Sequence, residues 1–297
     1  MQKIVPHLWF DKEAVEAAEF YTKIFPDSKI TMKSIIKDTP SGDCDIVGFE
    51  IMGYQFMSIS AGPVFKFNPS ISMMINFDPS QDKDAATRID QIWEQLSEGG
   101  TPLMPLDKYD FSERYGWIQD KYGLSWQLIL TNPKGEDRPP VMPAMLFVTD
   151  TCEGTEEATD FYISLFQDSK RGQLARYPAG MEPNKEGSIM FTDFKLADQW
   201  FVAMDTSSQM HKFKFNEAIS FMVNCKDQQE IDHFWNALSA VPESEQCGWL
   251  KDKYGLSWQI IPEKMNELMG KNPEKTTPVM LQQKKIIIAD LEKAGNE

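Results

Sequence analysis

Residues 116–129 read GWIQDKYGLSWQLI and residues 248–261 read GWLKDKYGLSWQII, and the two stretches are identical at 11 of 14 positions. Shorter segments return in the same order: FYTKIFPDSK from Phe20 as FYISLFQDSK from Phe161, FKFNPSIS from Phe65 as FKFNEAIS from Phe213, and VPHLWF from Val5 as MPAMLF from Met142. Self-similarity over this length indicates two copies of one structural module.

The segment between the copies, TNPKGEDRPP at residues 131–140, combines turn-forming and charged residues, which is typical of a linker. We therefore predict a first module over residues 1–132, a linker over 133–140, and a second module with a C-terminal helix over 141–297. The second copy lacks ten residues where the first has Pro102 to Tyr115. Since insertions belong in surface loops, we expect a connection there.

Each copy has the periodicity of two β-α-β-β-β units. In the first, a strand over Lys3 to Phe10 precedes a helix that Asp11 can cap and Pro26 ends, and two later strands flank a tight turn at residues 52–54. The second unit repeats the plan, with a strand over Ser70 to Phe77, a helix, and strands around the tryptophans of the repeated motif. This pattern predicts an α+β fold with curved, mostly antiparallel sheets, helices outside, and a cavity on the inner face.

In both copies, polar residues recur at alternate positions of these strands, which places them on one face of the predicted sheet. They alternate with the apolar residues expected to pack on the helices, and they are Ser72, Asn76, Ser125 and Gln127 in the first copy and Ser220, Asn224, Ser257 and Gln259 in the second. We predict that they line a solvent-reachable, ligand-binding cavity together with His7 and Trp9 of the first strand. The alternative is that the glutamines only hydrogen-bond neighbouring backbone.

Composition excludes several classes of protein. The 297 residues carry 45 acidic and 30 basic side chains, a formal charge of −15, so we expect no nucleic-acid partner. The start lacks the features of a signal peptide, and no apolar run approaches the ~18 residues of a membrane span, which favours a cytoplasmic protein that does not enter a membrane. Four scattered cysteines without a C-x-x-C pair are typical of reduced, buried thiols.

The sequence resembles the vicinal oxygen chelate superfamily of glyoxalase, bleomycin-resistance and extradiol dioxygenase proteins, and within it the PhnB-like domains also called 3-demethylubiquinone-9 3-methyltransferase. The segments that carry the resemblance are PHLWF at 6–10, FYTKIFPDSKI at 20–30, GPVFKFNPSIS at 62–72, YGWIQDKYGLSWQ at 115–127 and MLQQKKIIIADLEKA at 280–294. The resemblance implies tandem modules, each of two β-α-β-β-β units. It leaves open whether units are exchanged between modules, as this superfamily is known to do.

Metal-using members of the superfamily place a His in the first strand, a His or Glu in middle strands, and a Glu four residues after the glycine of the last turn. The matching residues here are His7 and Gln127, while Ser58, Ser60 and Ser72 stand near the middle positions and Ala144 replaces the histidine in the second copy. Hydroxyls and a neutral amide are poor ligands for a divalent transition metal. We therefore expect no metal and no other cofactor, and keep His7 with Gln127 as the alternative metal pair.

The methyltransferase description can be tested on the glycines. A Rossmann-type S-adenosylmethionine site needs a glycine-rich turn, and none of the 17 glycines forms a G-x-G. We predict a protein that binds a small organic molecule, whose two modules form an internal pseudo-dimer and which can also form a homodimer. A metal-assisted lyase, isomerase or dioxygenase of the glyoxalase type is the alternative, and the sequence does not decide whether the chain is an enzyme.

Overall fold

The computed structural model describes residues 2–39, 41–132, 134 and 137–297. Of the predicted linker over 133–140, Pro133, Gly135 and Glu136 lie outside the described residues. Three of the four predicted β-α-β-β-β units are found in order. The fourth, within described residues 219–262, has two strands after its helix in place of three. The predicted α+β fold of tandem modules is confirmed.

Strands and helices are numbered along the chain. The strands are β1 Ile4–Phe10, β2 Lys29–Thr39, β3 Gly42–Ile51, β4 Tyr54–Ser60, β5 Ile71–Phe77, β6 Thr101–Tyr109, β7 Ser112–Gln119, β8 Ser125–Leu130, β9 Val141–Thr149, β10 Lys170–Arg176, β11 Ile189–Leu196, β12 Gln199–Ser207, β13 Ile219–Cys225, β14 Trp249–Lys251 and β15 Ser257–Pro262. The helices are α1 Ala14–Ile24, α2 Ala85–Ser97, α3 Thr155–Leu165, α4 Gln228–Leu238, α5 Met265–Lys271, α6 Pro273–Gln282 and α7 Ile288–Gly295, with a 3-10 turn at Pro242–Ser244. None of the described helices is both long enough and apolar enough to span a bilayer.

The chain divides into two compact units that do not follow the repeats. The large unit holds residues 8–218, and the small unit holds residues 1–7 and 219–297. In the small unit the strand order is β14-β15-β13-β1, so the first strand of the chain lies beside strands from the second copy. In the large unit, residues 8–10 of β1 continue into the order β1-β4-β3-β2.

The second sheet of the large unit has eight strands in the order β10-β11-β12-β9-β5-β8-β7-β6. Strands β5 to β8 come from the first copy and β9 to β12 from the second, joined by the antiparallel pair of β5 and β9. The sheet is therefore built by exchange of units between the copies, which answers the question that the sequence left open.

The repeated motif DKYGLSW forms the same buried turn twice. Asp120 is 4% exposed, and its Oδ1 accepts the backbone N–H groups of Tyr122 and Leu124 at 2.8 and 3.0 Å. Its Oδ2 accepts the Tyr21 hydroxyl and the Trp126 indole N–H, both at 2.8 Å. Burial raises the pKa of Asp120 to about 6. Asp252 repeats the turn and accepts the Trp258 indole N–H at 2.8 Å. The best-retained motif in the chain is therefore a structural turn.

The repeated FKFN motif joins two loops of the large unit reciprocally. The Asn68 side chain donates to the Lys214 carbonyl at 2.9 Å, and the Asn216 side chain donates to the Lys66 carbonyl at 2.8 Å. Both lysine side chains are exposed to solvent. These paired bonds relate equivalent loops of the two copies to each other.

Two local predictions were wrong. Asp11 does not cap α1. The backbone N–H of Ala14 instead donates a hydrogen bond to Ser60 Oγ of strand β4 at 3.2 Å. In the same way, the backbone N–H of Thr155 at the start of α3 donates a hydrogen bond to the side chain of Asp205 in strand β12. The insertion at residues 102–115 is not a loop either, since it builds β6 and the start of β7 as an antiparallel hairpin.

Where the second copy lacks the strand equivalent to β6, the C-terminal segment occupies that edge. The backbone N–H groups of Cys247 and Gly248 donate to the carbonyls of Gln283 and Lys284 at 2.8 and 2.7 Å. Three helices, α5 to α7, follow β15 where a single C-terminal helix was predicted.

Candidate functional site

The inner face of the eight-stranded sheet is the face opposite the helices. A Cβ atom on Gly116 would lie 2.5 Å from the ring of Trp93 in α2, so the helix covers that side of β7. The neighbouring residue Trp117 pairs with Gln127, and both side chains point to the other side. Ser72 and Ser125 are paired on this inner face. The structure thus brings three predicted site residues, Ser72, Ser125 and Gln127, onto one face.

Gln127 is the centre of a buried hydrogen-bonded chain. Its side chain is 2% exposed, its Nε2 donates to Ser72 Oγ at 2.6 Å, and its Oε1 accepts the Tyr115 hydroxyl at 2.8 Å. Burial raises the pKa of Tyr115 well above its ordinary value, so the phenol stays protonated as a donor. Sequence reasoning missed Tyr115, because this tyrosine is not repeated in the second copy.

Two further polar atoms on this face have no hydrogen-bond partner within the described part of the chain. They are Ser125 Oγ and Trp117 Nε1, and both atoms are buried. Buried polar atoms are nearly always paired in native proteins, with protein or with ordered water. An unpaired hydroxyl and an unpaired indole N–H on neighbouring strands therefore mark a position where a hydrogen-bonding molecule can be held.

The predicted site residues Asn76 and Asn224 instead bind backbone. Asn76 Nδ2 donates to the Pro139 carbonyl at 2.7 Å, and the Asn76 N–H donates to the Pro140 carbonyl. In the small unit, Asn224 Nδ2 donates to the Gln2 carbonyl at 3.0 Å. Each asparagine therefore holds the backbone that immediately precedes a neighbouring strand, β9 for Asn76 and β1 for Asn224.

The inner face of the small unit repeats part of this arrangement. Gln259 Nε2 donates to Ser220 Oγ at 2.9 Å, and Ser257 is paired in register with Ser220. The position of Tyr115 is taken by Cys247, which precedes Gly248 and Trp249 as Tyr115 precedes Gly116 and Trp117. The second glutamine thus lacks the phenol that bonds the first, and its exposed fraction is 6%.

His7 lies in the small unit, with 5% of its surface exposed. Its ring contacts the edge of Trp249 at a centroid distance of 5.5 Å, and Trp249 pairs with Gln259. Within the described chain its Nδ1 has no hydrogen-bond partner. Burial lowers the pKa of His7 to about 3, so the imidazole is neutral at neutral pH.

The structure does not bring the alternative metal pair together in one unit. His7 belongs to the small unit and Gln127 to the large unit, where Ala144 stands opposite Ser72. Across residues 2–39, 41–132, 134 and 137–297, no three His, Cys, Asp or Glu side chains gather in a group that could hold a metal ion. The amide of Gln259 and the hydroxyl of Ser220 are weak ligands for transition metals, so the residues present do not fit such an ion.

Trp9, also predicted to line the cavity, is half-buried in the large unit. Its indole N–H donates to the Gly62 carbonyl at 2.8 Å, and its ring packs edge-on against Phe65 at 5.1 Å. These contacts fix the indole against the loop that leads to the FKFN motif.

The inner face of the eight-stranded sheet also carries an apolar cluster. Buried Met74, Met142, Ala144 and Val202 form its centre, and the partly buried side chains packed on it are Ile129, Phe191, Trp200 and Met204. The buried polar atoms therefore lie on a largely apolar surface. This combination is typical of sites for small organic molecules.

Comparisons with known proteins agree with this architecture. The family model described as 3-demethylubiquinone-9 3-methyltransferase matches residues 2–129 and again residues 139–261. Among solved structures, the PhnB protein from Bacillus cereus is 34% identical over 44% of this chain and 100% of its own, with a TM-score of 0.39. Glyoxalase I from Zea mays is similar over 90% of this chain and 96% of its own, at 11% identity and a TM-score of 0.54. No curated protein matches the sequence.

Proposed function

The chain belongs to the 3-demethylubiquinone-9 3-methyltransferase family over both of its copies, and from this membership we propose that it binds a small organic molecule on the inner face of its sheets. The observation that carries the proposal is the set of unpaired, buried polar atoms on that face: Trp117 Nε1 and Ser125 Oγ in the large unit and His7 Nδ1 in the small unit. Each can bond a ligand that reaches it.

The chemistry of the face defines the class of ligand. The indole N–H donates, the hydroxyl donates or accepts, and the neutral imidazole offers one ring nitrogen, so none of the three carries a charge. The surrounding surface is built from methionine, isoleucine and aromatic side chains. We therefore propose a small, mainly apolar molecule with uncharged hydrogen-bonding groups, held without a metal ion.

Methyl transfer is not part of the proposal. A Rossmann-type S-adenosylmethionine site places a glycine-rich turn between a strand and the next helix. The connections after β1, β5 and β13 contain no glycine, and the connection after β9 contains one, Gly154 at the start of α3. The chain's own residues therefore do not fit that cofactor in that manner.

We also propose that the two copies act as an internal pseudo-dimer and that the chain works in the cytoplasm. Support for the first comes from the reciprocal bonds of Asn68 and Asn216. The second is supported by the net charge of −15 and by four cysteines that are all free thiols.

The test is a ligand search with matched serine variants. The purified protein is extracted and analysed by mass spectrometry for a retained small molecule, and a compound library is screened by thermal shift. Ser125→Ala and Trp117→Phe should weaken binding of any hit at least about tenfold, which is about 1.4 kcal/mol. Ser58→Ala is the control, because Ser58 Oγ is already bonded to the Val47 carbonyl at 3.2 Å.

Three outcomes would overturn the proposal. Binding that is unchanged in both inner-face variants would place the ligand elsewhere, and equal losses in Ser58→Ala would show only general destabilisation. Binding that depends on an added divalent ion would favour the glyoxalase-type alternative.

A further inference from the structure

Arg138, from the predicted linker, occupies the inner face of the eight-stranded sheet. Its side chain is only 10% exposed, and its Nε donates to Asp193 Oδ2 of β11 at 2.7 Å. The guanidinium carbon lies 4.0 Å from the ring centroid of Trp200 in β12. A planar guanidinium binds well where a carboxylate accepts hydrogen bonds at its edge and an aromatic ring stacks against its face, and Arg138 has both contacts.

The carboxylate is held in place independently of the arginine. Asp193 is 3% exposed, and its Oδ1 accepts the backbone N–H of Gln173 at 2.6 Å. Gly172 beside it leaves the necessary space, since a Cβ there would collide with the Asp193 carboxylate and lie 2.7 Å from the Trp200 ring. Carboxylate, indole and glycine therefore form a preformed recess.

In the first copy, the described residues at the corresponding positions do not form such a recess. Gly48 precedes Phe49 as Asp193 precedes Phe194, and Thr31 stands two residues after Lys29 as Gly172 stands two after Lys170. A Cβ on Gly48 would lie 2.9 Å from Thr31 Oγ1. The glycine therefore lies on opposite strands of this pair in the two copies: Gly48 faces Thr31 in the first, and Gly172 faces Asp193 in the second. Since the first copy forms the same strand pair with a glycine in place of Asp193, the fold itself does not require this aspartate.

The backbone that carries Arg138 is fixed on its C-terminal side. Asn76 of β5 bonds the carbonyls of Pro139 and Pro140 at 2.7 and 2.8 Å. The two prolines also restrict the chain. Arg138 therefore enters the recess from a segment whose position is set by the sheet.

We infer that Asp193, Trp200 and Gly172 form a binding site for an alkylguanidinium and that Arg138 fills this site within the same molecule. The arginine closes the β11–β12 side of the inner face. The β7–β8 side, with Trp117 and Ser125, is left for the ligand of the proposed function. Charge balance favours the occupied state, because an empty recess would leave the Asp193 carboxylate buried and unpaired.

The test is chemical complementation of Arg138→Ala with methylguanidinium chloride. The variant should melt at a lower temperature than the unaltered chain. Methylguanidinium should then raise the Tm of the variant saturably, with a midpoint on the order of millimolar, while leaving the unaltered chain unchanged. Tetramethylammonium chloride at the same concentration controls for ionic strength and should have no such effect.

Two variants separate the site from general effects. Arg171→Ala removes another arginine of the same sheet, whose partner Asp160 is 65% exposed, and methylguanidinium should not restore its Tm. In Arg138→Ala/Asp193→Asn the restoration should disappear, because the carboxylate is gone. If Arg138→Ala does not stay folded, the refolding yield with and without methylguanidinium makes the same comparison.

A Tm or yield of Arg138→Ala that does not respond to methylguanidinium would overturn the inference, as would an equal response in Arg171→Ala. The readout needs no ligand on the β7–β8 side. Its failure is therefore distinguishable from failure of the proposed function.

Discussion

The Tyr115 hydroxyl donates a 2.8 Å hydrogen bond to Gln127 Oε1, and Cys247 stands where the second copy would need this phenol to bond Gln259. The two repeated glutamines are therefore not equivalent. The Gln127 amide is bonded at both ends, to Tyr115 and Ser72, whereas among the described residues the Gln259 amide bonds only Ser220. This difference predicts different energetic costs for the same substitution.

Gln127→Ala should lower the free energy of unfolding by about 2–3 kcal/mol, since it leaves a buried phenol and a buried hydroxyl without their partner. Gln259→Ala should cost about 1 kcal/mol, because one hydroxyl is affected. Urea denaturation of both variants measures the difference. Equal costs, or the reverse order, would contradict the assignment of the Tyr115 bond.

Asp120→Ala should cost at least about 3 kcal/mol, because four donors, from Tyr21, Trp126 and two backbone N–H groups, lose a buried acceptor. Asp110→Ala, at an exposed turn, is the control and should stay within about 0.5 kcal/mol of the unaltered chain. A small effect at Asp120 would mean that water replaces the carboxylate, and the motif would then lose its structural explanation.

His7 should make the protein less stable as the pH falls below about 6.5. Its folded-state pKa of about 3 lies below the ordinary value of 6.5, so between these values the unfolded chain binds a proton that the folded chain does not. The loss from His7 should reach about 2–3 kcal/mol at pH 4.5. Asp120, whose pKa is raised to about 6, acts in the opposite direction between about pH 6 and pH 4.

The His7→Phe variant isolates the histidine contribution to this pH dependence. Stability against urea, measured from pH 7.5 to pH 4.5, should fall less in the variant than in the unaltered chain. At pH 7.5 the two should be of similar stability, because the exchange removes an unpaired nitrogen. Parallel pH profiles would show that His7 is solvated or paired.

Chelation should leave the protein unchanged. We expect well under one equivalent of zinc, nickel, manganese or iron in the purified chain, and no change in Tm after treatment with EDTA. The reason is that the repeated polar groups of the small unit, the Gln259 amide and the Ser220 hydroxyl, are poor ligands for these ions. Elemental analysis and thermal melting provide the measurement. A stoichiometric ion whose removal lowers the Tm would refute this.

The repeat and its periodicity were enough to predict the fold, because strands and helices are encoded in local patterns of polarity. The cap of α1 was not predictable in this way. Its acceptor, Ser60, lies 46 residues from Ala14 and reaches it only through the tertiary structure. The hairpin of β6 and β7 was missed for a related reason, since a length difference between copies does not distinguish a loop from an added strand pair.

For the candidate site, the alternation of polar residues predicted which face Ser72 and Gln127 occupy, but not what satisfies them. Tyr115 is replaced by Cys247 in the second copy, so a search for polar residues repeated in both copies could not identify it. Arg138 and Asp193 were equally hidden, although the substitution of Asp193 for Gly48 in aligned strands is visible in the sequence. An unmatched acidic residue in a buried strand is a signal for a partner elsewhere in the chain.

The position of β1 beside β13 has a consequence for biosynthesis. During translation, residues 4–7 leave the ribosome long before residue 219, where the strand that they border in the small unit begins. Until that residue emerges, the backbone donors and acceptors on this side of the nascent chain lack their native partner and can pair with other chains. We expect the growing polypeptide to need chaperone protection until residue 219 has emerged, and a product truncated shortly before residue 219 to aggregate.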